Sequence, residues 1–248
     1  MPEPVAAFNF DAVVGGVVPD LTGNGHDFAL PVSCTLEAGL DDHAIRHSSA
    51  AADSGGPAIF GQTAHRTLMI DIVRTSNSDA WVAEMKNMSE GTGVWGFLFS
   101  GSSVQARAKD PSNSATFASA VVPASGTRYQ LAMTYDGTNI RLFFNGVQQA
   151  ITAFAGPIWT SADAFQLFDV ASTETMIDNM RVYDVALSAA ELAALVGVPV
   201  AAPAPATGGR LKYESAPGVW TPVPLKTETG DPLAVKTETS PGTWEATS

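Results

Sequence analysis

The chain has 248 residues, 45% hydrophobic and 15% charged, a composition that excludes a disordered chain, which pairs low hydrophobicity with high net charge. Thirteen Lys and Arg against 25 Asp and Glu leave a net charge of −12, which argues against a nucleic-acid partner or an anionic membrane surface. One cysteine, Cys34, allows no intrachain disulfide and reads as a small buried hydrophobe.

Short strands separated by turn residues are predicted throughout residues 1–196. Val5–Phe10 alternates, and Leu68–Val73 is apolar and β-branched around Asp71. Trp81–Met85, Val94–Ser100 and Val104–Ala108 follow. Tyr129–Tyr135 runs into Asp136-Gly137, and Ile140–Phe144 into Asn145-Gly146. Both dipeptides favour type I′ turns, so these strands and Val147–Ile151 form an antiparallel meander. Phe165–Asp169 and Met176–Tyr183 are the last strands before a helix. Ser188-Ala189-Ala190-Glu191 is a capping box, and Gly197 and Pro199 stop the helix after about two turns. The helix is expected on one edge of a sandwich. Strands at this spacing argue for a sandwich or barrel.

Residues 197–209 read as a Pro/Ala/Gly linker, and residues 210–248 as a repetitive β-hairpin tail. Leu211–Trp220 aligns with Val235–Trp244 at an offset of 24, sharing Lys, Glu, Pro, Gly and Trp, with a partial copy at Leu225. So short a segment buries little surface alone, and small repeats need neighbours. Leu211, Trp220, Leu225, Val235 and Trp244 are therefore candidate assembly residues; the alternative is a loose extension with exposed tryptophans. No window is apolar enough for a membrane-spanning helix. Met1-Pro2-Glu3-Pro4-Val5 carries no secretory signal pattern.

Three segments together resemble the laminin-G-like, concanavalin A-like jelly-roll family. They are Phe8–Asp11 with Pro19–Asp27, Tyr129–Gly137 continuing through Leu142–Gly146, and Ile177–Leu192. The resemblance implies an all-β jelly-roll sandwich with one short C-terminal helix over residues 1–196. Thr35–Gly61 departs from the pattern and lacks clear strand signals. The resemblance also implies a structural calcium ion, held by Asp20, Asn24 and Gly25 with Asp178 from the last strand. Calcium takes mixed oxygen ligands of this kind. The alternative is an Asx-turn at Asp20 and Asn24, with Asp178 bonded to backbone. Asp11 and Asp27 read as surface acids. His43 and His47 have i,i+4 spacing without a helix, and read as unrelated surface histidines.

No glucanase carboxylate pattern occurs: Glu84 and Glu90 are six apart with no Asp between them. No nucleophile elbow or phosphate loop is present, so the chain is not expected to be an enzyme. Trp81, Trp95, Trp159, Tyr129 and Tyr135 could stack on sugar faces. Trp81 and Trp95 read as core, and Trp159 as the exposed candidate for ligand binding. The tail is similar to C-terminal ends of minor tail proteins of tailed bacteriophages. That resemblance implies a virion structural or adhesive protein, on tail or capsid surface, with host glycan as a ligand. Its partners would be other virion proteins or further copies of the chain, such as a trimer. The alternative is a carbohydrate-binding module of a secreted bacterial protein.

Overall fold

The computed structural model describes residues 1–11, 13, 15–30, 34–38, 42–47, 65–75, 79–87, 92–158, 164–169, 175–201, 212–216, 219–222, 235–240 and 243–247. It describes backbone alone at 47, 86–87, 92–93, 164, 168–169 and throughout 212–247. Two compact units are present, Met1–Ala202 and Pro203–Ser248.

The first unit runs β1 (Ala6–Phe8), β2 (Val17–Val18), β3 (Phe28–Ala29), β4 (Cys34–Ala38), β5 (His43–His47), β6 (Arg66–Arg74), β7 (Ala80–Asn87), β8 (Thr92–Ser100), β9 (Ser103–Lys109) and β10 (Ala115–Val121). It continues with β11 (Arg128–Tyr135), β12 (Asn139–Phe144), β13 (Val147–Ala153), β14 (Ala164–Asp169), β15 (Thr175–Tyr183) and the helix α1 (Ala189–Ala194). One antiparallel sheet of eight strands runs β13-β12-β11-β6-β15-β5-β4, with β1 also on β15. A five-stranded sheet runs β10-β9-β8-β7-β14, and β2 and β3 form a ribbon. The two larger sheets enclose one core, giving the jelly-roll sandwich.

Alternation along β6 explains the core. Leu68, Ile70 and Ile72 point inward and join Leu131 and Met133 from β11. Trp95, Phe97 and Phe99 of β8 answer from the other sheet. Across the ladder, Trp95 faces Ala108, Phe97 faces Ala106 and Phe99 faces Val104. Large rings beside small partners fill the layer without overpacking. The same economy hides β10 from the sequence pattern: Thr116, Ala118 and Ala120 pair with the inward residues Ala108, Ala106 and Val104. Strands β4 and β5 fall inside the stretch where strand signals were weak, and their pairing corrects that expectation. Ala44 and Ile45 are fully buried, although charged and polar residues flank them.

The meander forms, with its two turns built differently. Phe144 pairs with Val147, leaving Asn145 (φ 48°) and Gly146 (φ 73°) as a two-residue type I′ loop. At Asp136-Gly137 the last pair is Tyr135 with Ile140, so the loop has four residues, and only Gly137 is left-handed. Asp136 Oδ1 accepts from the Thr138 and Asn139 amides at 2.9 and 2.7 Å, so the acid closes an Asx-turn instead of entering the left-handed region. Burial would raise the Asp136 carboxyl, but hydrogen bonds from Arg141, Thr138 and Asn139 outweigh it and hold the carboxyl well below the usual range. A folded-state value below the unfolded one stabilises at neutral pH, and that stability is lost as pH falls. Asp136→Asn is therefore expected to be less stable than the parent at neutral pH, with the gap closing below about pH 4. Urea unfolding across the acid range checks this, and a gap independent of pH would contradict it.

The capping box forms as predicted, with Glu191 N–H donating to Ser188 Oγ and Ser188 N–H to Glu191 Oε2. The helix lies on the outer face of the eight-stranded sheet and not at an edge. Leu187, Leu192 and Leu195 pack there on Met69, Ala132, Phe143 and Tyr183. These four sheet residues are apolar on the face opposite the core, so only a covering element satisfies them.

In the second unit the repeat becomes two hairpins of one design: β16 (Lys212–Ala216) with β17 (Val219–Pro222), and β18 (Val235–Ser240) with β19 (Thr243–Thr247). Glu214 pairs with Trp220 and Ala216 with Val219. Glu238 pairs with Trp244 and Ser240 with Thr243, with the register shift at the same place. Leu211 and Leu225 lie outside the described residues, as does most of the linker.

Candidate functional site

The polar half of the sheet's outer face is tied to the chain on both sides of α1. Thr67 Oγ1 donates to the Val185 carbonyl and accepts from Leu187 N–H, at 2.7 and 2.9 Å. Gln130 Nε2 donates to the Leu195 carbonyl, Arg181 Nη2 to that of Val198, and Val200 N–H to Asn179 Oδ1. Each buried side chain thus satisfies backbone groups that no ladder reaches. Asn179 is left-handed (φ 47°) at an irregularity in β15. The N-terminal half of β15 pairs with β5, and its C-terminal half with β1.

The turn at Asp20 is stitched to β1. Asp20 Oδ1 accepts from Ala7 N–H at 3.1 Å and Thr22 N–H at 3.0 Å. Its Oδ2 accepts from His26 N–H at 3.2 Å, and the Thr22 hydroxyl lies within 2.9 Å of both oxygens. Asp27 accepts from Asp20 N–H at 2.7 Å. Asn24 Nδ2 donates to the Val5 carbonyl at 3.0 Å. A cleft of about 480 Å³ opens beside this turn, lined in part by Glu3, Thr22, Asn24, Arg181 and Val200. Glu3, Thr22, Asn24 and Arg181 give the cleft a polar lining.

Of the residues expected to hold calcium, Asp20 is already engaged by the backbone. Asp20 is buried, and its carboxylate already accepts three N–H groups, which occupy the lone pairs a cation needs. Asp178 pairs with Asp71, and Ala7, the strand residue nearest Asp20, pairs with Arg181. Asp178 Oδ1 accepts from Asn179 N–H at 2.7 Å. Gly25 is a left-handed turn residue (φ 82°). The set therefore does not fit a calcium ion, and the turn acts as a scaffold for the cleft. The motif was legible; Arg181 and the Val200 segment were not, because they reach the cleft from far along the chain.

Trp95, Tyr129 and Tyr135 are buried core residues, and Tyr135 donates its hydroxyl to the Gly156 carbonyl. Trp81 is half-buried on the outer face of the five-stranded sheet, with the Arg107 guanidinium 5.5 Å from its ring centre. Trp159 lies outside the described residues. Glu84 is fully buried, and its cross-strand neighbours are Gly96 and Gln166. Asp71 and Asp178 do face each other, but both are buried, at 5% and 1% exposure. Cys34 is buried and takes part in no disulfide.

A laminin-G sequence profile, described as the concanavalin A-like lectin/glucanases superfamily, matches residues 53–193. The chain belongs to this superfamily. No curated protein matches it in sequence. Among solved structures it is similar to the binding domain of Paraclostridial Mosquitocidal Protein 1, at 14% identity and TM-score 0.62, over 77% of this chain and 51% of that one. The botulinum neurotoxin serotype G binding domain is similar at 12% identity and TM-score 0.60, over 78% and 50%. The serotype D binding domain matches at 8% identity and TM-score 0.55, over 77% and 50%. The chain spans about half the length of these structures. At these identities the likeness establishes the shared jelly-roll fold.

Proposed function

We propose that the chain is a non-enzymatic structural or adhesive protein of a tailed-bacteriophage particle, as a minor tail or capsid-surface protein. The observation that carries this reading is the second unit. Two hairpins in one register, following a Pro/Ala linker and a jelly roll, form a duplicated module suited to attachment or self-association. Trp220, Trp244 and Val235 occupy its strands, with Val235 opening β18. The first unit faces outward and offers the cleft beside Asn24 and Arg181 to polar ligands such as host-surface glycans. The burial of Asp71, Glu84 and Asp178 supports a binding role over hydrolysis, because glycosidases need two carboxylates open to substrate. No helix among the described residues is long and apolar enough to cross a membrane. The net charge of −12 favours protein and glycan partners over nucleic acid.

Coding context tests the particle assignment. A gene flanked by capsid and tail genes is the expected result. A precursor carrying an apolar secretory leader would overturn it in favour of a secreted carbohydrate-binding module.

A further inference from the structure

Asp11 lies just beyond β1, and Asp42 and His43 lie at the start of β5. A carboxylate oxygen from each acid and a ring nitrogen of His43 all fall within 4.8 Å of one another. Among the described residues, no other group of three His, Cys, Asp or Glu converges in this way. The backbone holds the arrangement: His43 N–H donates to Asp11 Oδ1 at 3.2 Å across 32 residues of sequence. Asn9 fixes the same side chain, donating from Nδ2 to Asp11 Oδ2 at 2.5 Å.

His43 Nδ1 supplies a separate observation. The ring is 43% exposed, yet this nitrogen is shielded from solvent and has no hydrogen-bond partner. It stands 3.5 Å from Asp42 Oδ1. That is long for a hydrogen bond. It matches the edge of a metal-centred tetrahedron, since bonds of about 2.1 Å place neighbouring ligand atoms about 3.4 Å apart. The three atoms already lie within 4.8 Å of one another, and the exposed Asp42 side chain can turn toward the other two.

We infer that Asp11, Asp42 and His43 form a binding site for a first-row divalent cation, with zinc the best fit. An imidazole nitrogen selects a borderline cation over calcium, which takes six to eight oxygens. Two carboxylates neutralise the cation's charge, and water completes the fourth position. The i,i+4 partner His47 is not required; the ligands come from the β1 exit, which sequence spacing does not reveal. The site is independent of the particle assignment.

Cobalt titration of the full chain, followed by visible absorption, tests the inference, with zinc affinity read by calorimetry. One equivalent of Co²⁺ is expected to give the intense colour of a tetrahedral site, bleached by Zn²⁺ and not by Ca²⁺. His43→Ala and Asp11→Asn each weaken zinc binding by more than about tenfold. Asp42→Asn, at a side chain 75% exposed, does the same with little disturbance to the fold. His65→Ala, at an exposed histidine outside the cluster, leaves binding unchanged. Absence of saturable colour, or zinc binding unaltered by the cluster substitutions, would overturn the site.

Discussion

Gly96→Ala is expected to destabilise the first unit by about 3 kcal/mol, lowering its melting midpoint by about 10 °C. Gly96 sits inside β8 with φ +154°, a conformation L side chains rarely adopt. A Cβ there would stand 2.2 Å from the Ala83 carbonyl oxygen and 2.6 Å from Glu84 Cα. Both obstacles are backbone atoms of β7, so relief requires moving the strand that pairs with β8. The ladder between them is already irregular on either side, after Trp81 and after Met85. Gly101→Ala is the control, with φ +56° and nothing within 4 Å of the new Cβ. It should cost only the backbone strain, about 1–2 kcal/mol. Thermal unfolding of the two variants separates clash from strain, and equal losses would contradict the close approach.

Asp71→Ala is expected to cost about 3 kcal/mol, against about 1 kcal/mol for Arg128→Ala. Asp71 is 7% exposed in its side chain and Arg128 34%. Asp71 Oδ2 accepts from Arg128 Nη2 at 2.8 Å and Asn179 Nδ2 at 3.3 Å. Removing the acid takes an acceptor from the buried Asn179 amide and from the part-exposed Arg128 guanidinium. Removing the guanidinium leaves Asn179 still bonded, and water reaches part of the gap. Relief of repulsion from Asp178, directly across the ladder, offsets less than about 1 kcal/mol. Asn179 also anchors Val200, so the loss should loosen the segment after α1. Urea unfolding of both single variants and the double variant measures the coupling. Equal costs for the two singles would contradict the asymmetry.

Local chemistry was legible in the sequence. Asn145-Gly146 specifies its own turn, Ser188 and Glu191 specify the helix start, and the 24-residue repeat anticipates two hairpins of one register. Features set by distant partners were not. The weak signal of β10 reflects its small inward residues Thr116, Ala118 and Ala120, which sit beside Ala108, Ala106 and Val104 of β9. The helix position depends on Met69, Ala132 and Phe143, from strands far away in sequence. Asp20 carried a familiar motif, but what decides its role is the direction of the Ala7 and His26 amides. Asp11 and His43 meet only because β1 and β5 both lie along β15.

Molar mass by light scattering, comparing the full chain with residues 1–202, tests most directly whether the second unit assembles the protein. The first unit has its own continuous core, so it should remain folded and monomeric alone. The full chain is expected at a multiple of 25.8 kDa, with a trimer the fitting state for a particle-borne module. Oligomers of equal order with and without residues 203–248 would place self-association in the jelly roll instead. A monomeric full chain would contradict assembly through the hairpins.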